Sequence, residues 1–209
     1  MASKTPATSQ LVDLLYQSLE TEQGGIKVYE TAIRCAVNPD LRKEWEAYLD
    51  ETRRHAQELL AVFADLGLDP DLRPPGREVV GGIGAALVTA MQKAQAAGTP
   101  EQAELVACEC VVLAETKDHS NWELLGKVVE KTGKTKAGRL AQAVANVEAE
   151  EDHHLYHTKG WCRELWIQAL GYPAVLPPPE EVRQVETAIG ASRAEQARES
   201  YLGKRSRAS

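Results

Sequence analysis

The sequence predicts an all-helical bundle, on three grounds. Aromatics make only 5% of the 209 residues, and Phe63 is the one phenylalanine. Aliphatic side chains must therefore fill the core, which favours helices over a β-sandwich. Long stretches repeat apolar residues at steps of three and four, the period of a helix face. Prolines and glycines punctuate those stretches at their ends. The length suits one large domain that buries a core without staples.

Each element carries its own signals. The first helix is expected over residues 10–35. The second, over 39–66, opens with Asn38-Pro39 and stops at Gly67. A cap residue followed by proline is a helix start, and glycine past the last periodic residue is a stop. A weaker helix is expected over 83–97, because Gly81-Gly82 and the preceding Pro-Pro-Gly turn leave Val79 and Val80 neither strand nor helix. The third long helix, 100–131, opens with Thr99-Pro100, and Gln102 completes a capping box. The fourth, 136–170, carries an expected break near Gly160. Seven of the ten prolines fall within 70–75 and 173–179. The organisation expected is a disordered 1–9, a bundle over 10–171 with a long crossover at 67–98 between the second and third long helices, and a Pro-rich then charged extension over 172–209. A small helix over 180–189 and a frayed end at 204–207 belong to that extension. Each long pair is closed by a short loop, so its members should run antiparallel.

Composition excludes several classes. The net charge is −7 and the pI about 5.3, which opposes nucleic-acid binding and with it an RNA-modifying hydroxylase. No run of about 18 apolar residues exists to span a membrane. The N-terminal residues lack the apolar core of a signal peptide, so a cytoplasmic location is expected. The four cysteines form no C-x-x-C pair. Cys108 and Cys110 diverge by roughly 200° on a helix, so reduced, partly buried thiols are expected.

The inward faces hold the functional signal. The first helix aligns Leu15, Ser18, Glu22, Ile26 and Tyr29; the second Trp45, Tyr48, Thr52, His55 and Leu59. The third aligns Cys108, Val111, Glu115 and Trp122, with Asp118 or His119 filling a turn. The fourth aligns Val144, Val147, Glu151, His154, Thr158 and Trp161. Every stripe is apolar at its ends and polar at mid-length. Glu22, Glu115 and Glu151, with His55 and His154, fall where burial is expected. Buried carboxylates cost several kcal/mol unless neutralised, and three at one level repel one another. A metal pair removes both penalties, and carboxylate with neutral imidazole suits iron or manganese. Glu151 and His154 form a Glu-x-x-His, with both donors on one face. Tyr29 follows Glu22, and Trp122 follows Glu115, by seven residues, so each pair shares a face.

This set resembles the ferritin-like superfamily, in its rubrerythrin-like and bacterioferritin-like members, across residues 10–170. Their pattern is one Glu from each of two helices and a Glu-x-x-His from each of the other two. The resemblance implies a ferritin-like antiparallel four-helix bundle with Glu22, His55, Glu115, Glu151 and His154 as metal ligands. It implies two iron ions, with manganese as the alternative, and a non-haem oxidoreductase acting on dioxygen or peroxide as a ferroxidase or peroxidase. Tyr29 and Trp122 are the candidate electron donors beside core-filling roles, and a homodimer is expected. One position departs: Thr52 stands where the family has the second-helix Glu. Glu51 is adjacent but lies about 100° off the seam of a regular helix, and a π-bulge would be needed to bring it back. Asp118 or His119 could compensate. A manganese catalase-like enzyme and a degenerate bundle with a structural role are the alternatives. A full rubrerythrin is excluded by the missing C-x-x-C pairs, and an iron-storage cage is disfavoured by the extension. His153 and His157 are expected at the surface. Gly24-Gly25 reads as close packing, with a gap for dioxygen or peroxide as the alternative. Trp45, Trp161 and Trp166 read as core, with a dimer surface as the alternative.

Overall fold

The computed structural model describes residues 8–205 and is all-helical, with no strand among the described residues. Its helices are α1 (Ser9–Cys35), α2 (Pro39–Leu66), α3 (Pro75–Ala97), α4 (Pro100–Thr132), α5 (Lys134–Ala137), α6 (Arg139–Ala169), α7 (Pro179–Val182), α8 (Ala188–Gln196) and α9 (Arg198–Arg205). The caps are those the sequence announced. Asn38 Oδ1 accepts from the Asp40 and Leu41 amides, and Thr99 and Gln102 close their capping box. Gly67 ends α2 in the left-handed region at φ 69°.

α1 packs on α2 and α4, and α6 packs on α4 and α2. The four long helices thus close a ring, and α3 lies against α1 and α4. Two apolar clusters fill the interior. One joins Val28 and Tyr29 of α1 to Trp45 of α2, Cys108 and Val111 of α4 and Trp161 of α6. The other joins Leu15 and Leu19 to Leu59, Phe63, Trp122, Leu125, Val144 and Val147. On the four long helices, buried Glu22, Thr52, His55, Glu115, Asp118, Glu151 and His154 fall, in sequence, between members of the two clusters.

Several boundaries differ from expectation. α1 starts at Ser9, capped by the Thr8 hydroxyl, so residues 8 and 9 are ordered; 1–7, where the rest of the disordered terminus was expected, lie outside the described residues. α3 begins at Pro75 rather than 83 and runs through Gly81-Gly82. Packing overrides the low propensity of glycine here. A Cβ on Gly76 would meet Asp13 Oδ1 at 2.7 Å, and one on Gly81 would meet Glu20 Oε1 at 2.7 Å. The bare backbone lets α3 lie close on α1, where buried Arg77 grips Glu20 at 2.7 Å and the Leu72 carbonyl at 3.0 Å.

α6 shows no break at Gly160. A Cβ there would meet Glu180 Oε2 at 2.6 Å and Pro178 Cβ at 3.0 Å, so the glycine admits the C-terminal extension against the helix. The stretch before α6 forms the separate turn α5, parted from it by Gly138 at φ 56°. The extension makes three short helices instead of one over 180–189. Residues 204 and 205 belong to α9, and 206–209 lie outside the described residues. Ion pairs to buried carboxylates fasten this segment: half-buried Arg163 to Glu180 at 2.6 Å and half-buried Arg198 to Glu164 at 2.9 Å. The Val175 amide donates to Glu164 at 2.8 Å.

Trp45 and Trp161 are fully buried, so neither offers a dimer surface; Trp166 is 39% exposed. His157 is buried rather than at the surface. All four cysteines are free thiols, and burial pushes the Cys108 thiol up. No helix among the described residues is long and apolar enough to cross a membrane.

Candidate metal centre

Glu22 of α1, His55 of α2, Glu115 and Asp118 of α4, and Glu151 and His154 of α6 are all buried. Each sits at the polar mid-length of its helix. The i, i+3 spacing of Glu115 with Asp118, and of Glu151 with His154, aims two donors from one face.

The groups converge into two triads that share Glu151. His55, Glu151 and His154 offer ligand atoms within 4.8 Å of one another, and so do Glu22, Asp118 and Glu151. The two imidazoles stack at 5.5 Å between centroids. His55 Nδ1 lies 2.8 Å from Glu151 Oε1 and 3.8 Å from Glu22 Oε1, close as ion pairs but without hydrogen-bond alignment. His154 Nδ1 lies 3.5 Å from Glu115 Oε2 and 3.7 Å from Glu151 Oε1.

The outer side of the cluster is hydrogen-bonded and the inner side is not. His55 Nε2 meets Glu150 Oε2 at 2.7 Å, and His154 Nε2 meets Glu51 Oε2 at 2.8 Å. Trp122 Nε1 donates to Glu22 Oε1 at 2.7 Å. Facing inward, both Nδ1 atoms, both Glu151 oxygens, Glu22 Oε2, Glu115 Oε2 and Asp118 Oδ1 lack a hydrogen-bond partner among the described residues. Buried polar atoms are nearly always satisfied, so an unpaired set gathered in one place calls for an explanation, and these groups could hold a metal ion. Each imidazole thus turns its Nε2 to an outer carboxylate and its Nδ1 inward, the placement found in carboxylate–histidine–metal arrangements.

The electrostatics agree. Burial, then the Asp118 and Glu151 charges, raise the Glu22 carboxyl well above its usual range. Burial, then Glu151 and Glu115, do the same to Asp118. Burial and the Glu115 charge push Glu151 up to about 8. Burial, then neighbouring His154, lowers His55. Burial also opposes a charge on His154, but the Glu115 and Glu51 carboxylates outweigh it and raise that imidazole. Burial and mutual repulsion thus favour the protonated forms of Glu22, Asp118 and Glu151, and buried groups of this kind could hold a metal ion instead.

Of the sequence candidates, Glu22, His55, Glu151 and His154 enter the triads. Glu115 stands beside His154 but belongs to neither triad, where Asp118, one turn on, takes a place. The i, i+3 step from Glu115 was the signal for Asp118. Glu51 reaches His154 Nε2 from a regular helix, so no π-bulge is needed; it serves on the outer side of the imidazole. Thr52 is buried against α1: a Cβ on Gly25 would stand 3.3 Å from Thr52 Cγ2, and the Thr52 hydroxyl donates to the Tyr48 carbonyl. Gly25 therefore serves packing. Tyr29 is fully buried, its ring edge-on to His154 at 6.2 Å. Burial and the Glu115 charge hold its proton firmly.

Comparisons with protein-family models, curated proteins and solved structures find no match to this chain. The centre therefore rests on its own geometry.

Proposed function

We propose that the chain is a ferritin-like protein whose centre holds two metal ions, most simply iron, and that it is a non-haem oxidoreductase acting on dioxygen or peroxide. The observation that carries this is the pair of buried triads sharing Glu151, with their inward atoms unpaired. The bundle supports it. One apolar cluster joins the N-terminal halves of α1 and α6 to the C-terminal halves of α2 and α4. That alternation is what an antiparallel four-helix arrangement produces, with α3 in the crossover.

In this reading Glu151, common to both triads, would contribute to both metal positions. Glu22 and Asp118 would help hold one ion, and His55 and His154 the other, with Glu115 beside His154. Two iron ions held there would supply two-electron chemistry toward dioxygen or peroxide. The chain's own residues prepare the site. Glu150 and Glu51 hold the imidazoles by their Nε2 atoms. Trp122 steers Glu22 through its indole N–H. The two apolar clusters keep water from the flanks. Tyr29, Tyr48 and Trp122 are oxidisable side chains placed against the ligands, Tyr48 with its ring centroid 4.2 Å from that of His154 and Tyr29 at 6.2 Å; Tyr29 and Trp122 are the electron donors in this reading.

A degenerate bundle would hydrogen-bond its polar residues to one another, and the unpaired inward atoms weigh against that. Elemental analysis of freshly purified protein, with iron and manganese both supplied during growth, is the test. Two metals per chain support the reading, and their identity separates an iron enzyme from a manganese catalase-like one. Aerobic ferrous titration should add the absorbance of oxo-bridged ferric iron. No metal uptake by the native chain refutes the proposal.

A further inference from the structure

The six inner residues are buried, so a cation needs a way in. A cavity of about 240 Å³ lies between α4 and α6, and its wall includes two buried members of the centre, Glu151 and Trp122. The rest of its acidic lining faces outward. Glu123, Glu148 and Glu186 are exposed and Asp152 is half-buried, while no lysine or arginine among the described residues lines it.

Acidic surface alone is commonly just solvated. What distinguishes this cavity is Glu151, nearly fully buried, with neither carboxylate oxygen hydrogen-bonded, reaching both the cavity and the two triads. We propose that the cavity is the passage by which a hydrated divalent cation is drawn from solvent to the buried centre, with Glu151 as the receiving ligand. This rests on the metal reading above. Four outer carboxylates around the opening focus a negative potential there, which concentrates cations and speeds capture by roughly 10- to 1000-fold.

The neighbouring residues hold the passage in shape. His119 Nε2 meets Asp152 Oδ1 at 2.7 Å, joining α4 to α6 across the opening. The roof is Glu186, Thr187 and Ala188, the strand of chain leading into α8. Thr187 caps α8 through the Gly190 amide, and His153 Nε2 stands 3.3 Å from Glu186 Oε1. The C-terminal extension thus does more than cover the bundle: it completes the mouth, and its Glu186 supplies one of the mouth's charges.

The test is stopped-flow uptake of cobalt(II) by the full chain at low ionic strength, read by the visible ligand-field absorbance. Glu148→Gln with Glu186→Gln should slow second-order uptake about tenfold, leave the final stoichiometry unchanged and flatten the dependence on salt. Ala188→Trp, which fills the exposed roof without changing charge, should slow uptake at high salt as well. Equal rates in all three proteins overturn the passage and leave the metal reading standing. Lost stoichiometry in the Gln variant, in place of a lower rate, also overturns it. A native chain that binds no cobalt overturns both.

Discussion

Replacing Glu151 with Gln should make the protein more stable without metal and less stable with it. Glu151 is the one residue common to both triads, and its neighbours lie within 4.8 Å. At that distance and an effective dielectric of 20, each like-charge pair costs about 3.5 kcal/mol. Gln keeps the shape and removes the charge that burdens both Glu22 and Asp118. The sign follows from the raised carboxyls. Glu151 titrates near 4.5 when unfolded and at about 8 when folded. Its contribution is fully present below about pH 4.5 and is lost as pH rises through about 8. Chelated wild-type protein should therefore lose stability from pH 5 to pH 9. The Gln variant should gain about 2 kcal/mol over it at pH 9, or about 4–8 °C in Tm, and almost nothing at pH 5. Metal reverses the order. At a free metal concentration 100 times Kd, the wild type gains about 2.7 kcal/mol, and the variant forgoes most of it. Thermal melts at pH 5, 7 and 9, with chelator and with manganese(II), give the four-way comparison. A variant that is less stable than wild type with chelator at pH 9, or that keeps the full metal-induced rise, refutes the account of Glu151.

Further outcomes follow from the surrounding contacts. Glu51→Gln and Glu150→Gln should each weaken metal affinity about 10- to 100-fold with little change in the chelated melting temperature, since each acts through an imidazole Nε2; competition with a chromophoric chelator measures it. Trp122→Phe removes the indole bond to Glu22 and should lower metal affinity about tenfold, checked by the same titration. Gly160→Ala forces a methyl onto Glu180 and Pro178 and should cost about 1–3 kcal/mol as overpacking, read in denaturant midpoints, with faster proteolysis of the C-terminal extension.

The legibility of this chain varied with the range of the interaction. Helix starts at Pro39 and Pro100 were readable because caps and prolines act within a single turn. The buried level of Glu22, His55, Glu151 and His154 was readable because period 3.6 puts them in phase with apolar neighbours. Where the sequence misled, a distant partner intervened. Gly81, Gly82 and Gly160 looked like breaks, yet each lies within a helix, and at Gly81 and Gly160 the missing side chain makes room for another segment. The sequence put no carboxylate at Thr52, and neither triad has one from there; what it did not show is that Glu51 reaches the outer nitrogen of His154.

Local spacing alone determined that this chain is helical, and that acids and imidazoles occupy the middle of its apolar faces, because both follow from residues three and four apart. Only the tertiary structure decided which donors meet. Asp118 enters a triad and Glu115 stands beside one, Glu51 and Glu150 take the outer nitrogens, and residues of the C-terminal extension line the acidic cavity beside Glu151. Those outcomes turn on distances between helices far apart in sequence, which no periodicity within one helix encodes.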